Sequence, residues 1–298
     1  MTRHFLDITD LSLDELHLVL DLSKRASLPK VLDGKGAALI FEKPSNRTRH
    51  SMEMAVVQLG GHPIYTRGEE VGFDVREPVE DITRVMAGYH AVLAARVFEH
   101  SVVARMASVS PVPVVNMLSD LSHPLQALAD VLAMEEVHGS LAGHRVAFVG
   151  DWNNVSRSLA EVCIMLGAEV SLGCPHGYDA SATELARLSS LGVGSVVQTD
   201  DVYAAVAGAT AVHTDTWTSM GRESEKAERV KIFADYSVTA AVMAHARPDA
   251  GFYHCLPAYR GYEVAAEVID GPQSHVVRQA HQRLHAARGA LAFLLGVN

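Results

Sequence analysis

The stretch GAALIFEKPSNRTRHSMEMAVVQLG, residues 36–60, holds in order an apolar run, a polar junction and an amphipathic segment. GAALIFE (36–42) has the length and composition of a buried strand, and TRHSMEMAVVQLG (48–60) is amphipathic at helical spacing. HPIYT (62–66) then supplies a second β-like run. Strand, helix, strand in that order is a βαβ unit, the building block of parallel sheets.

The alternation continues outward from there. AVLAARVF (91–98) and PVPVVNML (111–118) follow in the first half, and RVAFVG (145–150), AEVSLGC (168–174), TAVHTD (210–215) and GFYHCLP (251–257) in the second. Amphipathic stretches such as HPLQALADVLAMEEVHG (123–139) lie between them, and no internal repeat or low-complexity segment interrupts the pattern. A chain of 298 residues exceeds what one hydrophobic core usually serves, so two domains are expected. GSLAG, between Gly139 and Gly143, ends a long helical pattern and precedes the clean strand RVAFVG. The expected fold is therefore α/β, with two doubly wound parallel-sheet domains joined by interdomain helices. Their spans are 1–139 and 140–273. Ligands of such sheets sit beyond the carboxyl ends of the strands, so chemistry should follow each β-run.

Composition narrows the function classes. The net charge of −10 argues against a nucleic-acid partner, since a phosphate backbone attracts basic faces. Any anion site must be a local cluster of basic groups. The three cysteines, Cys163, Cys174 and Cys255, stand far apart without paired spacing, which fits a reducing compartment. No apolar run reaches the roughly 18–20 residues of a membrane span. MTRHFLDITDLSLDEL at the start has no apolar h-region, so no signal peptide and a cytoplasmic location are expected.

After GAALIFE come Lys43, Pro44, Ser45, Asn46, Arg47, Thr48 and Arg49 at a strand-to-helix junction. Two arginines, two hydroxyls and the free amides of a helix N-terminus make a cradle for an oxyanion or phosphate. A capped helix with exposed arginines would show the same residues. Arg96 sits near the end of the β-run AVLAARVF, again at a carboxyl edge. His123 and Gln126 open a long helical segment three residues apart, on one face, where a polar helix start is the plainer reading. In the second half, Asp151, Trp152, Asn153 and Asn154 follow RVAFVG where a dinucleotide loop would stand, but G-x-G-x-x-G is absent. Those Asn side chains suit a carboxylate or an amide, or simply cap a helix. Asp215 and Ser219 lie four residues apart in a loop ending at Gly221, a pairing that suits an ammonium group as well as an ordinary turn. Cys255 after GFYH is by itself a small apolar filler. His281 and His285 lie one helical turn apart, but no Glu completes H-E-x-x-H, so no metal site is expected.

Together and in this order, these pieces resemble the aspartate/ornithine carbamoyltransferase superfamily, and the resemblance covers essentially the whole chain. SNRTR (45–49) is similar to the family's S-T-R-T-R and HPLQ (123–126) to its H-P-x-Q. DTWTSMG (215–221) resembles D-x-x-x-S-M-G, and HCLP (254–257) matches H-C-L-P; these two mark the ornithine branch. The resemblance implies that Ser45, Asn46, Arg47 and Thr48 hold the phosphate of carbamoyl phosphate, with Arg49 supporting them. Arg96 and His123 would polarise the carbamoyl oxygen, and Gln126 would hold the carbamoyl amide. Asn154 and the Met220 backbone would bind the ornithine α-carboxylate, and Asp215 and Ser219 the α-ammonium group. Cys255 would border the attacking δ-amine, as would the Leu256 carbonyl, which also belongs to the carbamoyl phosphate set. The helix 274–298 would pack back onto the first domain and return Arg283 to the carbamoyl phosphate site.

That chemistry needs no metal and no organic cofactor, because carbamoyl phosphate carries its own leaving group. What it needs is a neutralised phosphate, a deprotonated amine and a stabilised oxyanion. The resemblance also implies a homotrimer or a multiple of trimers. Three departures stand out: Asn46 replaces the family's usual Thr, Trp152 stands where many relatives have Gly, and the segment 69–78 differs most. In relatives that segment reaches the neighbouring subunit's site, a role for which Arg76 is the candidate here. The alternatives are a sibling carbamoyltransferase for another amine and a non-catalytic ligand-binding relative.

Overall fold

The computed structural model describes residues 2–218 and 223–298, so Ser219 and Met220 lie outside the described residues. Among the described residues, nine strands form two parallel sheets. The first contains β1 (Gly36–Phe41), β2 (His62–Arg67), β3 (His90–Arg96) and β4 (Val114–Leu118), in the order β2-β1-β3-β4. The second contains β5 (Arg145–Val149), β6 (Glu169–Gly173), β7 (Ser195–Thr199), β8 (Ala211–Thr214) and β9 (Gly251–His254), in the order β7-β6-β5-β8-β9. Every pairing in both sheets is parallel. The doubly wound α/β architecture expected from the alternation is therefore the one observed.

Burial explains why the central strands are legible as continuous apolar runs. In β1 every residue after Gly36 is buried, and β8 and β9 are buried throughout. Strands covered on both faces by helices lose the alternation of half-exposed strands. β7 has no such signature. It is an edge strand of sequence SVVQT, with two of its five residues exposed and none buried, and no strand signal distinguishes it.

The chain divides into two compact units. Unit 1 comprises residues 1–129 and 281–298, and unit 2 comprises 130–280. Both divisions fall inside long helices, Pro124–His138 and Val276–Leu294, rather than at the glycine-rich 139–143 segment. A helix carries no breaker at such a point, so composition does not mark it. Within unit 1 the C-terminal residues sit close against the first helix, Leu13–Lys24. A Cβ added at Gly289 would stand 2.1 Å from Ser23 Oγ, and Arg288 donates to Gln58 Oε1 at 3.0 Å.

Strand order also says where ligands should go. In the first sheet the chain leaves β1 in opposite directions to reach β2 and β3, and in the second it departs from β5 toward β6 on one side and β8 on the other. A crevice outside the carboxyl ends of the strands opens at such a switch point. Phe41 and Arg96 end β1 and β3; Val149 and Thr214 end β5 and β8. The residues just beyond them are SNRTR, Asp151 to Asn154, and Asp215. No helix among the described residues is long and apolar enough to cross a membrane.

Candidate functional site

Each unit gathers its own set of polar side chains at the ends named above. In unit 1 the centre is Thr48, buried in the first turn of the helix Asn46–Gln58. Ser45 occupies the N-cap position, yet its hydroxyl caps no backbone amide and lies 3.0 Å from Thr48 Oγ1 instead. The first N–H groups of a helix have no intrahelical acceptor, so this end presents donors and a partial positive charge. Arg283, from the helix Val276–Leu294, donates to Thr48 Oγ1 at 2.9 Å and to Gln126 Oε1 at 2.8 Å. Its Nη1 also lies 3.4 Å from His123 Nε2, and Arg96 Nη1 stands 3.4 Å from Thr48 Oγ1. Arg96, His123, Gln126 and Arg283 are all buried.

Six of the residues singled out by sequence thus converge: Ser45, Thr48, Arg96, His123, Gln126 and Arg283. Burial, and then the charges of Arg283 and Arg96, hold the His123 imidazole well below its ordinary pKa. It is therefore neutral and serves as a hydrogen-bonding group. Arg47 is half-buried and Asn46 exposed. Arg49 is turned elsewhere: its Nε is 2.8 Å from Glu53 Oε1, and its guanidinium lies over the Tyr65 ring at 3.9 Å. Composition gives no hint of the scaffold beneath His123. Asn116 Nδ2 donates to Leu6 O at 2.9 Å and to Ser119 Oγ at 3.2 Å, and Ser122 Oγ donates to Asp7 Oδ1 at 2.9 Å. Four buried polar residues thereby fix the turn that delivers the imidazole.

In unit 2 the centre is Asp215, 9% exposed, directly after β8. Its Oδ1 accepts the Cys255 thiol at 3.2 Å, and its Oδ2 accepts Asn153 Nδ2 at 3.1 Å. Asn153 caps the helix Asn154–Met165, of which Asn154 is the first residue. His254 is buried behind Cys255. Its Nδ1 accepts the Leu256 N–H at 2.8 Å, and its Nε2 lies 3.3 Å from the buried Glu263 carboxylate. Leu256 itself has φ +59° and precedes a cis peptide bond to Pro257. Asp215, His254 and Cys255 bring potential metal-donor atoms within 4.8 Å of one another. Both His254 ring nitrogens already have protein partners, so the set is a hydrogen-bonded one. His281 and His285 enter no such group among the described residues.

Asn153 takes the helix-cap role that the sequence left open for either Asn. Two residues missed in the sequence, Arg229 and Glu263, help to frame this half. Arg229 is fully buried on the helix Lys226–Ile232 and donates to the Trp217 carbonyl and the Asp151 carboxylate. Its guanidinium lies over the rings of Tyr178 and Phe233 at 4.8 and 5.1 Å. It ties the loop after β5 to the loop after β8. Glu263 was also missed, since nothing in Y-E-V points to His254.

Comparison with known proteins bears on both units. A family model described as the aspartate/ornithine carbamoyltransferase carbamoyl-P binding domain matches residues 3–136, and one for the Asp/Orn binding domain matches 142–294. An ornithine carbamoyltransferase of Thermus thermophilus is 43% identical, over 99% of this chain and 97% of that protein. One of Bacillus subtilis is 41% identical, over 98% and 94%. The solved ornithine carbamoyltransferase of Pyrococcus furiosus superposes with a TM-score of 0.94 at 39% identity, covering 100% of this chain and 98% of that one. The chain belongs to the aspartate/ornithine carbamoyltransferase family.

Proposed function

We propose that this chain transfers the carbamoyl group of carbamoyl phosphate to the δ-amine of L-ornithine, giving L-citrulline and phosphate. The δ-nitrogen lone pair attacks the carbamoyl carbon, the carbonyl electrons move onto oxygen, and their return expels phosphate. The proton that the amine gives up ends on the departing phosphate, which leaves as hydrogen phosphate. Ser45, Asn46, Arg47, Thr48 and the amides of the helix Asn46–Gln58 bind the phosphate, while Arg49, turned to Glu53 and Tyr65, has no part in it. Arg96 and His123 stabilise the oxyanion, a role in which a neutral imidazole acts as a hydrogen-bond donor. Gln126 takes the carbamoyl amide, the Leu256 carbonyl borders the δ-amine, and Arg283 belongs to the carbamoyl phosphate set.

Ornithine is held in unit 2. Asn154 and the Met220 backbone take its α-carboxylate, Asp215 and Ser219 its α-ammonium group, and Cys255 borders the δ-amine. The observation that carries this reading is the Asp215 carboxylate, buried, gripped by Cys255 and Asn153, and placed at the switch point of the second sheet. An amino-acid head group offers the ammonium ion that such a carboxylate would pair with.

The finer features of the reading follow the family resemblance. The enzyme works as a homotrimer or a multiple of trimers, with the 69–78 segment and Arg76 serving a neighbouring site. Support comes from the exposure of that segment, where Val75 is 88% exposed, and of Met54, Val57, Ile64 and Tyr89 elsewhere in unit 1. Its place is the cytoplasm and arginine synthesis, and its three cysteines are free, as a reducing compartment requires. The test is product formation from carbamoyl phosphate with ornithine, lysine or N-acetylornithine as acceptor. Citrulline formed at the highest kcat/KM supports the reading. A preference for lysine or N-acetylornithine points to a sibling enzyme, and no product with any amine to a non-catalytic relative.

A further inference from the structure

We infer that Asn153 is a positioning residue for the ornithine site, fixing the rotamer and plane of the Asp215 carboxylate through an amide whose own orientation is set by the helix it caps. This rests on the reading of Asp215 as the counter-charge of the α-ammonium group.

The geometry leaves Asn153 one arrangement. The first turn of the helix Asn154–Met165 is buried at Val155 and Ser156, whose N–H groups need an acceptor that solvent does not supply. Asn153 Oδ1 accepts both, at 2.9 and 3.1 Å. The Asn153 N–H donates to Ser156 Oγ at 2.8 Å in return, closing a capping box around the side chain. With the oxygen committed to two donors, the other end of the amide is the NH2 group, and it meets Asp215 Oδ2 at 3.1 Å. A flipped amide would set donor against donor on the helix and oxygen against carboxylate at Asp215. All three contacts would fail, so the flip is excluded by chemistry.

Asp215 is thereby held from both sides, with the Cys255 thiol on Oδ1 at 3.2 Å and the Asn153 amide on Oδ2. A carboxylate gripped on each oxygen cannot turn about its terminal torsion. Each oxygen still keeps lone-pair capacity for an incoming ammonium group. The ordering entropy is lost on folding and not at the moment of binding, which is how preorganisation raises affinity. The choice of residue also becomes intelligible. Ser, Thr or Asp would cap the helix about equally well. Only an amide places an acceptor for the helix and a donor for Asp215 on one rigid plane.

Two substitutions separate this role from a structural one. Asn153→Ser keeps a capping acceptor and removes the donor. It should leave the unfolding midpoint and the carbamoyl phosphate KM nearly unchanged, while kcat/KM for ornithine falls roughly tenfold or more, the scale of one hydrogen bond to a charged group. Asn153→Asp also keeps the cap but sets a second carboxyl against Asp215. Its loss should be larger at neutral pH and should shrink on acidification, as one proton comes to be shared between two close carboxyls. The readout is the variant-to-unaltered ratio of kcat/KM for ornithine, which a purely structural role would leave flat with pH. Unaltered ornithine kinetics in Asn153→Ser, or a flat ratio for Asn153→Asp, would overturn the inference. Asp215→Ala is measured alongside. If it turns ornithine over normally, the head-group reading itself has failed; if it is crippled while Asn153→Ser is normal, only the positioning role falls.

Discussion

Thr48 Oγ1 collects contacts from Ser45, Arg96 and Arg283 at 3.0, 3.4 and 2.9 Å, so a single hydroxyl fixes the side chains that line the anion site. Arg47, one residue away and only half-buried, is the residue proposed to act directly on the phosphate. Replacing it by Ala removes a charge-assisted contact worth about 1.5–3 kcal/mol, so the KM for carbamoyl phosphate should rise at least about tenfold. The unfolding midpoint should stay in place, since none of the scaffold contacts at Thr48 involves Arg47. Saturation kinetics for carbamoyl phosphate show the outcome. An unchanged KM would remove Arg47 from the phosphate set. Much of this residue-scale picture was legible in sequence, because SNRTR and HPLQ follow β-runs in a chain whose topology puts ligands there. Arg49 was not, since a motif does not say which arginine turns outward to Glu53 and Tyr65.

At the scale of elements, a buried guanidinium ties the loops after β5 and β8 together, beside the Asn153–Asp215 hydrogen bond. Arg229 donates to the Trp217 carbonyl and to the Asp151 carboxylate, and removing one partner of a buried pair leaves the other charged and poorly solvated. Arg229→Ala should therefore cost about 3–5 kcal/mol in denaturant unfolding, far more than the ~1 kcal/mol of a surface ion pair. A loss below about 1 kcal/mol would mean that solvent or another side chain takes over the Asp151 carboxylate. Nothing in KAERVKI distinguishes Arg229 from a solvated helical charge, so sequence could not reveal this link. β7 escaped for a related reason: an edge strand with polar neighbours lacks the apolar run that marked β1, β5 and β9. The glycines at 139–143 drew attention as a boundary, while the chain passes between units inside two uninterrupted helices.

At the scale of the whole molecule, burial of histidine sets the response to acid. Burial holds His123 well below its ordinary pKa and pushes His213 down to about 3. Their folded pKa values lie below the unfolded value of about 6.5, so under that pH the unfolded chain binds protons that the folded chain does not. The stability these groups contribute is present above about pH 6.5 and is lost as pH falls, by up to roughly 1.4 kcal/mol per pH unit for each. Glu42, raised by its burial, works weakly in the opposite sense, and Glu15, pushed down to about 2, titrates below this window. Urea midpoints should thus decline steadily between about pH 6.5 and 5. A flat profile would mean that the unfolded state shields these histidines equally.

The central claim is that unit 2 reads the head group of an amino acid, and acceptor specificity tests it most directly. Putrescine shares the amine of ornithine that is carbamoylated but has no α-carboxylate for Asn154. A partly buried charged contact left unpaired costs on the order of 2–5 kcal/mol, so kcat/KM for ornithine should exceed that for putrescine by at least about thirtyfold. If putrescine is carbamoylated as efficiently as ornithine, the assignment of Asn154 to the α-carboxylate is contradicted, and the chain acts on a different amine.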